Sequence, residues 1–406
     1  MRDSGSTVTR RAFLGAGAAV LGTGFGVLVL EPSGRVLAAP RAAPQSWADR
    51  AAASFAALQK YLYLGGANGL YLENYPWQTG DNAYSYLFDL VEATAATIDM
   101  AGISTVGTSY RNEAALRFDA LEYYWDPNRT PPAFDSYPPH PPASAGDPFY
   151  DDNAITGLEY ARQFLATGDR RWLDGASGAF AFDTSGWDTD PNHPFPGGLH
   201  WVDASWNTIK ATNATALAAE LATHLYEATA DRAYLDWGQR MYAWTRTYMR
   251  AAAGLYWNSV DFQGNIDKTL WIYNSGAMIG AATLLHRATG DSSYLEQASE
   301  DATGAVQYWT AGDRYFDQPC VFNAIFAANL LLFDSQSPGP YRPVVERYAQ
   351  HIWSSNRDPA TGLFKFQPSG GGAYDPNARP QTVECSSAVQ LFALLAWLEP
   401  DYWRAA

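Results

Sequence analysis

One short pattern recurs three times in this chain, and it limits the possible folds more than any other feature. Ala166-Thr167-Gly168-Asp169 is followed by Trp172-Leu173, Ala228-Thr229-Ala230-Asp231 by Tyr234-Leu235, and Ala288-Thr289-Gly290-Asp291 by Tyr294-Leu295. The copies lie 62 and 60 residues apart. In each, an amphipathic run ends at a turn, the Asp is placed to cap a new helix, and the aromatic-Leu pair enters that helix's buried face. The unit is a helical hairpin, and hairpins repeated at a fixed period stack because one alone cannot bury its apolar face.

Six such hairpins need about 360 residues, which residues 44–406 supply. Apolar periodicity predicts twelve helical runs, at roughly 46–64, 80–102, 109–124, 151–167, 170–182, 204–227, 231–250, 269–288, 292–309, 318–333, 340–354 and 382–398. Ala-rich faces such as Ala214-Thr215-Ala216-Leu217-Ala218-Ala219 let helices approach closely. Strand signals are few (Gly254-Leu255-Tyr256-Trp257 and Gly362-Leu363-Phe364-Lys365-Phe366) and fit small ribbons on loops. The expected fold is all-α, a single-domain (α/α)6 barrel or six-hairpin toroid with small β ribbons in its loops. An open superhelix of hairpins is the alternative.

Residues 1–43 read as an address. Arg10 and Arg11 precede an uncharged stretch running to Leu30, which is the twin-arginine export pattern of bacteria. Five glycines dilute that stretch, and cleavage is expected near Ala38 to Ala43, with an uncleaved anchor as the alternative. The expectation is a secreted or extracytoplasmic protein, free of the membrane after signal removal and monomeric. The whole chain carries a formal charge of −15, so polyanions such as nucleic acids are poor partners, whereas a neutral polymer is compatible. Cys320 and Cys385, the only cysteines, are as compatible with two buried thiols as with a disulfide. The six histidines form no HxxH or HExxH pattern, so neither a catalytic metal nor a cofactor is predicted. Asp188 and Asp190 hint at a calcium loop, without the Gly and distal Glu that would complete it.

Sites in a toroid of hairpins are built by the loops at one end of the inner helices. Two long loops stand out, the Pro-rich 125–150 and the Trp-bearing 183–203. The first leads into Phe149-Tyr150-Asp151-Asp152-Asn153-Ala154. Adjacent carboxylates at a loop-to-helix junction repel each other, which can leave one ionised and the other protonated, as glycoside hydrolysis requires. An ordinary N-cap pair is the competing reading.

This segment resembles the aspartate-pair signature of glycoside hydrolase family 76, whose members are bacterial and fungal endo-α-1,6-mannanases on an (α/α)6 barrel. Gly197-Gly198-Leu199-His200-Trp201, Lys210-Ala211-Thr212-Asn213-Ala214 and Trp271-Ile272-Tyr273-Asn274-Ser275-Gly276 are similar to further family segments, in the right order. The likeness covers roughly residues 50–398. Departures fall at Ile155, Ser275 and Asn323, where the family often has Trp, Gln and Lys; they spare the two carboxylates and bear on the subsites.

The resemblance implies a retaining double displacement on a mannan-type poly- or oligosaccharide, with Asp151 as nucleophile and Asp152 as general acid and then base. Retention needs carboxyl groups about 5–5.5 Å apart, which neighbours at a helix start can reach. Substrate-binding roles are expected for Tyr150, Asn153, Gly198, Trp201, Trp271, Tyr273 and Asn274. For Trp201 and Trp271 core packing is the competing reading; for Tyr273 and Asn274, a buried polar pair; for Tyr150, packing under the loop. His200 is expected to be structural. Two other functions stay open: a barrel enzyme acting on another glycan (uronide hydrolase, lyase or epimerase), and a carbohydrate-binding protein without catalysis.

Overall fold

The computed structural model describes residues 45–66, 69–140, 143, 145–368, 370–398 and 401–402. The predicted export segment, with its cleavage region, lies outside them. Among the described residues there are twelve α-helices: α1 (Trp47–Tyr61), α2 (Leu87–Gly102), α3 (Arg111–Leu121), α4 (Tyr150–Thr167), α5 (Arg170–Ser185), α6 (Thr212–Thr229), α7 (Arg232–Tyr248), α8 (Ile272–Thr289), α9 (Ser292–Thr310), α10 (Cys320–Gln336), α11 (Arg342–Ser355) and α12 (Thr382–Leu395). Each corresponds to a predicted run.

The even-numbered helices pack side by side in the order α2, α4, α6, α8, α10, α12, and α12 returns to α2, closing a ring. The odd-numbered helices lie outside, each against an inner partner; α1, first in the chain, packs on α12, the last helix. This is the (α/α)6 barrel, and ring closure excludes the open superhelix. The sequence separates the two layers by burial. Inner helices such as α6 and α8 are buried on nearly every face, whereas the outer α7 and α11 bury one stripe. Small residues let the inner helices touch: a Cβ added at Gly276 of α8 would sit 2.7 Å from the Phe326 Cα of α10.

The repeated pattern is the turn from inner to outer helix. Gly168, Ala230 and Gly290 each take the left-handed conformation, with φ of 72°, 60° and 72°. Asp169, Asp231 and Asp291 then cap the next helix by accepting from the backbone N–H of Arg171, Ala233 and Ser293. Thr167, Thr229 and Thr289 back-bond to the preceding turn and accept from the amide of the capping Asp. Short turns at this end leave the long loops at the other, where the inner helices begin.

Three departures from the sequence reading occur at the looped end. The run expected from 204 starts at Thr212, because Ile209–Ala211 is a strand; the run expected from 80 starts at Leu87, after the irregular segment following Pro76. Of the two expected ribbons, 254–257 grows into a sheet, while 362–366 makes only a bridge from Phe364 to Arg357. The strands are β1 (Tyr63–Gly65), β2 (Leu70–Tyr71), β3 (Trp125–Asp126), β4 (Ala133–Phe134), β5 (Ile209–Ala211), β6 (Arg250–Ala252), β7 (Leu255–Asp261) and β8 (Ile266–Leu270). β1 pairs with β2 and β3 with β4, while β7 pairs antiparallel with β5, β6 and β8. The last sheet anchors the starts of α6 and α8. No described helix is long and apolar enough to cross a membrane. Cys320 and Cys385 are buried free thiols, and burial pushes the Cys385 thiol up to about 12.

Candidate active site

Three loop segments zip together where α4 begins. Phe149 bridges to Val202, the Tyr150 amide donates to the Trp201 carbonyl at 3.0 Å, and the Asp203 amide to the Pro148 carbonyl at 3.0 Å. Beyond them His200 bridges to Lys210 on β5. This layer carries Trp201 to the start of α4, where Trp201 Nε1 donates to Asp151 Oδ2 at 3.1 Å. From the first turn of α6, Asn213 Nδ2 donates to the same oxygen. Asp151 Oδ1 accepts from the Asp152 amide at 3.1 Å. Three donors thus converge on one carboxylate, an arrangement suited to its ionised, acceptor-only form. Both aspartates lie in the first turn of α4, where the helix dipole also favours negative charge.

The loop that holds Trp201 is itself clamped. Lys210 is 0 % exposed, and its ammonium donates to Asp188 Oδ2 at 2.9 Å and to the carbonyls of Pro194 and Phe195 at 2.8 and 2.6 Å. Burial pushes the Asp188 carboxyl up, but Lys210, the Asp190 amide and His193 together hold it below the usual range. Asp188 is therefore an internal ion-pair partner, not part of a calcium loop, and among the described residues no cluster of His, Cys, Asp or Glu could hold a metal ion. His200 contacts the Phe262 ring, and burial lowers its pKa, so it stays neutral and structural. Gly198, at φ 83°, passes so close to Trp244 that a Cβ would meet its ring at 2.4 Å; it shapes the loop and offers no side chain to a ligand.

The remaining predicted residues divide. Tyr150 is buried, stacked on Phe182 at 4.5 Å, and supports α4 from beneath. Asn153 is fully buried: it exchanges two hydrogen bonds of 2.9 Å with the Phe134 backbone and donates to the Phe149 carbonyl, pinning β4 to α4. Both side chains are packed as scaffold here, and the Asn153 amide is engaged by backbone groups that the loop would otherwise leave unpaired. Trp271 and Tyr273, at the start of α8, pack on Phe322 of α10, edge-on at 5.4 Å and stacked at 4.1 Å. Asn274 is 0 % exposed, and neither amide atom has a protein partner among the described residues. A buried amide of that kind needs a water or a ligand hydroxyl.

The three departures face inward. Ile155 is core, Ser275 Oγ accepts from Trp309 Nε1 at 3.3 Å, and Asn323 Nδ2 donates to the carbonyls of Tyr315, Gln318 and Pro319.

Two features of the site escape the sequence reading. Asn213 stood in a matched segment without being assigned a role. Asp183, near the end of α5, is fully buried with neither carboxyl oxygen partnered among the described residues. Burial first, and the neighbouring Asp151 charge second, raise it well above the ordinary carboxyl range. Such burial favours the protonated form, and a lone Asp at the head of the expected 183–203 loop gives no signal for that. A cavity of about 330 Å³ lined by Ile98, Arg111, Gln163 and Trp397 opens at the opposite end of the ring, away from this chemistry.

Comparison with known proteins agrees with this fold. A family 76 mannosidase of Bacteroides thetaiotaomicron superposes with a TM-score of 0.75 at 24% identity, covering 87% of this chain and 99% of that one. An α-1,6-mannanase of Salegentibacter sp., an inactive variant with two consecutive aspartates replaced by asparagine and α-1,6-mannotriose bound, superposes with a TM-score of 0.68 at 19% identity, covering 86% and 99%. At such identities these likenesses establish the fold. The mannan endo-1,6-alpha-mannosidase DCW1 of Saccharomyces cerevisiae is 26% identical over 176 residues, 41% of this chain, and the match spans only 38% of the yeast protein's length. The model of glycosyl hydrolase family 76 matches residues 46–397, which take in all twelve helices from α1 to α12, and the chain belongs to that family.

Proposed function

We propose that the protein is an exported glycoside hydrolase that cleaves α-mannosidic, specifically α-1,6, linkages in mannan-type polysaccharide with retention of configuration. The observation that carries this reading is the convergence of Trp201, Asn213 and the Asp152 amide on the Asp151 carboxylate, with a second carboxyl on the next residue. Asp151 attacks the anomeric carbon to form a glycosyl ester, while Asp152 gives its proton to the departing glycosidic oxygen. Asp152 then takes a proton from water, which attacks the same carbon and releases Asp151. The held carboxylate suits the nucleophile, since a fixed acceptor needs no reorganisation at the moment of attack.

Two comparisons support the assignment: the yeast relative is named for endo-1,6-α-mannosidase activity, and the Salegentibacter enzyme is inactive when two consecutive aspartates are changed. Residues 1–43 are proposed to be the twin-arginine signal of a bacterial protein and 44–406 the catalytic unit, acting as a monomer outside the cytoplasm. N-terminal sequencing of the exported protein and sedimentation check those two points.

The test is hydrolysis of linear α-1,6-mannooligosaccharides by wild-type, Asp151→Asn and Asp152→Asn proteins, with product anomers followed by NMR. The expected result is an α-anomer formed first by the wild type and loss of turnover in both variants. First formation of the β-anomer overturns retention. Absence of turnover by folded wild type overturns the substrate.

A further inference from the structure

Trp206 lies on the turn between Val202 and β5 and leaves 51% of its surface exposed. It is nonetheless held firmly. Its Nε1 donates to Asp147 Oδ2 at 2.8 Å, and its ring stands edge-on to Trp201, 6.0 Å away at 81°. Phe149 closes the cluster at 6.2 Å. Trp201 is the residue that donates to Asp151, so Trp206 lies one ring outward from the proposed nucleophile. Because Asp147 satisfies the only polar atom of the indole, what remains open to solvent is its apolar face.

A fixed apolar plane bordering a polar site matches the flat C–H face of a neutral pyranose, whose hydroxyls stay directed to the rim. The rim here is acidic, with Asp147 and Asp203 both exposed. Those carboxylates can accept from sugar hydroxyls, and they repel uronic acids or phosphorylated sugars. We propose that Trp206 is the stacking platform of an outer subsite that binds a neutral sugar unit of the glycan beyond the bond being cleaved. The inference rests on the hydrolase reading above and adds to it a length preference: chains long enough to lie across Trp206 bind more tightly than short ones.

The test compares full-length wild type, Trp206→Ala and Trp206→Phe on α-1,6-mannooligosaccharides from mannobiose to mannohexaose. Binding of mannohexaose is measured by calorimetry in an Asp151→Asn/Asp152→Asn background with and without Trp206→Ala. For Trp206→Ala, kcat/KM on the hexaose is expected to fall about tenfold through KM, and affinity by a similar factor, roughly one stacked ring. The shortest substrate cleaved and the thermal unfolding midpoint should be unchanged, and Trp206→Phe, which keeps a ring, should recover much of the loss. An equal loss at every length would make Trp206 a mere support for Trp201, and no loss at any length would leave it without a role; either overturns the subsite alone. Wild type that neither cleaves nor binds any of these chains overturns the hydrolase reading, and the subsite with it.

Discussion

Stability should fall as pH rises from 5 to 8, and Glu92 shows why. It lies fully buried on α2, where its Oε2 accepts from Gln390 Nε2 of α12 at 2.6 Å. The groups that face it are acids: Glu159, Asp99 and Glu384. Burial is the main cause of a pKa raised from the ordinary 4.5 to about 8, with Gln390 opposing it and the acidic neighbours adding to it. Asp89, one turn earlier, is likewise pushed to about 8, by burial and then by Glu73. The folded chain therefore keeps protons that the unfolded chain releases above its ordinary carboxyl range. The stabilisation is fully present below that range and is lost as pH climbs towards the folded value. For Glu92 alone the loss between pH 5 and 8 is on the order of a few kcal/mol.

Urea-unfolding midpoints of wild type and Glu92→Gln at pH 5, 6, 7 and 8 measure this. The amide keeps the acceptor for Gln390 and cannot ionise, so the variant should show the shallower slope and exceed wild type at pH 8. A wild-type midpoint that is flat or rises over this range, or a variant with an unchanged slope, refutes the reasoning.

Other expectations concern the site and the turns. Trp201→Phe keeps the packing on Phe149 and Trp206 but deletes the donor to Asp151, and should lower kcat about 10- to 100-fold with the circular dichroism spectrum unchanged, as for a hydrogen bond to a charged group. Lys210→Met leaves Asp188 buried without its cation and three acceptors without their donor; a loss of about 3–5 kcal/mol is expected by denaturant unfolding. Replacing Asp169, Asp231 and Asp291 by Ala should cost about 1 kcal/mol each, additively, because the caps lie on separate hairpins.

The helices and the closed ring were legible because Ala-Thr-Gly/Ala-Asp encodes a local event, a left-handed stop followed by a cap, that needs no distant partner. The aspartate pair was legible for a similar reason, since neighbours in sequence remain neighbours in space. Asn213, Lys210 and Asp183 were not, because each acquires meaning from a residue many positions away: Asn213 from Asp151, Lys210 from Asp188, Asp183 from its burial near Asp151. Proximity to the pair along the chain does not by itself place a side chain in the open site. Tyr150 and Asn153 flank the carboxylates along the chain, yet helix geometry turns both of them into the scaffold.

The packing of α12 between α1 and α2 bears on how the molecule comes into being. The Thr382 amide donates to the Glu73 carbonyl at 3.0 Å, Gln390 reaches Glu92, and Trp397 Nε1 reaches the Asp99 carbonyl at 2.7 Å, so the last helix is sewn to the first inner one. Nothing made earlier can stand in for it. While the chain is being synthesised, α1 and one flank of α2 must wait with apolar faces uncovered, and the largest loop in the molecule closes last. A stack of open repeats can shed its end unit and survive. Here a break before Thr382 uncovers α1 and one flank of α2 at once, so both ends of the chain depend on the last helix for their packing.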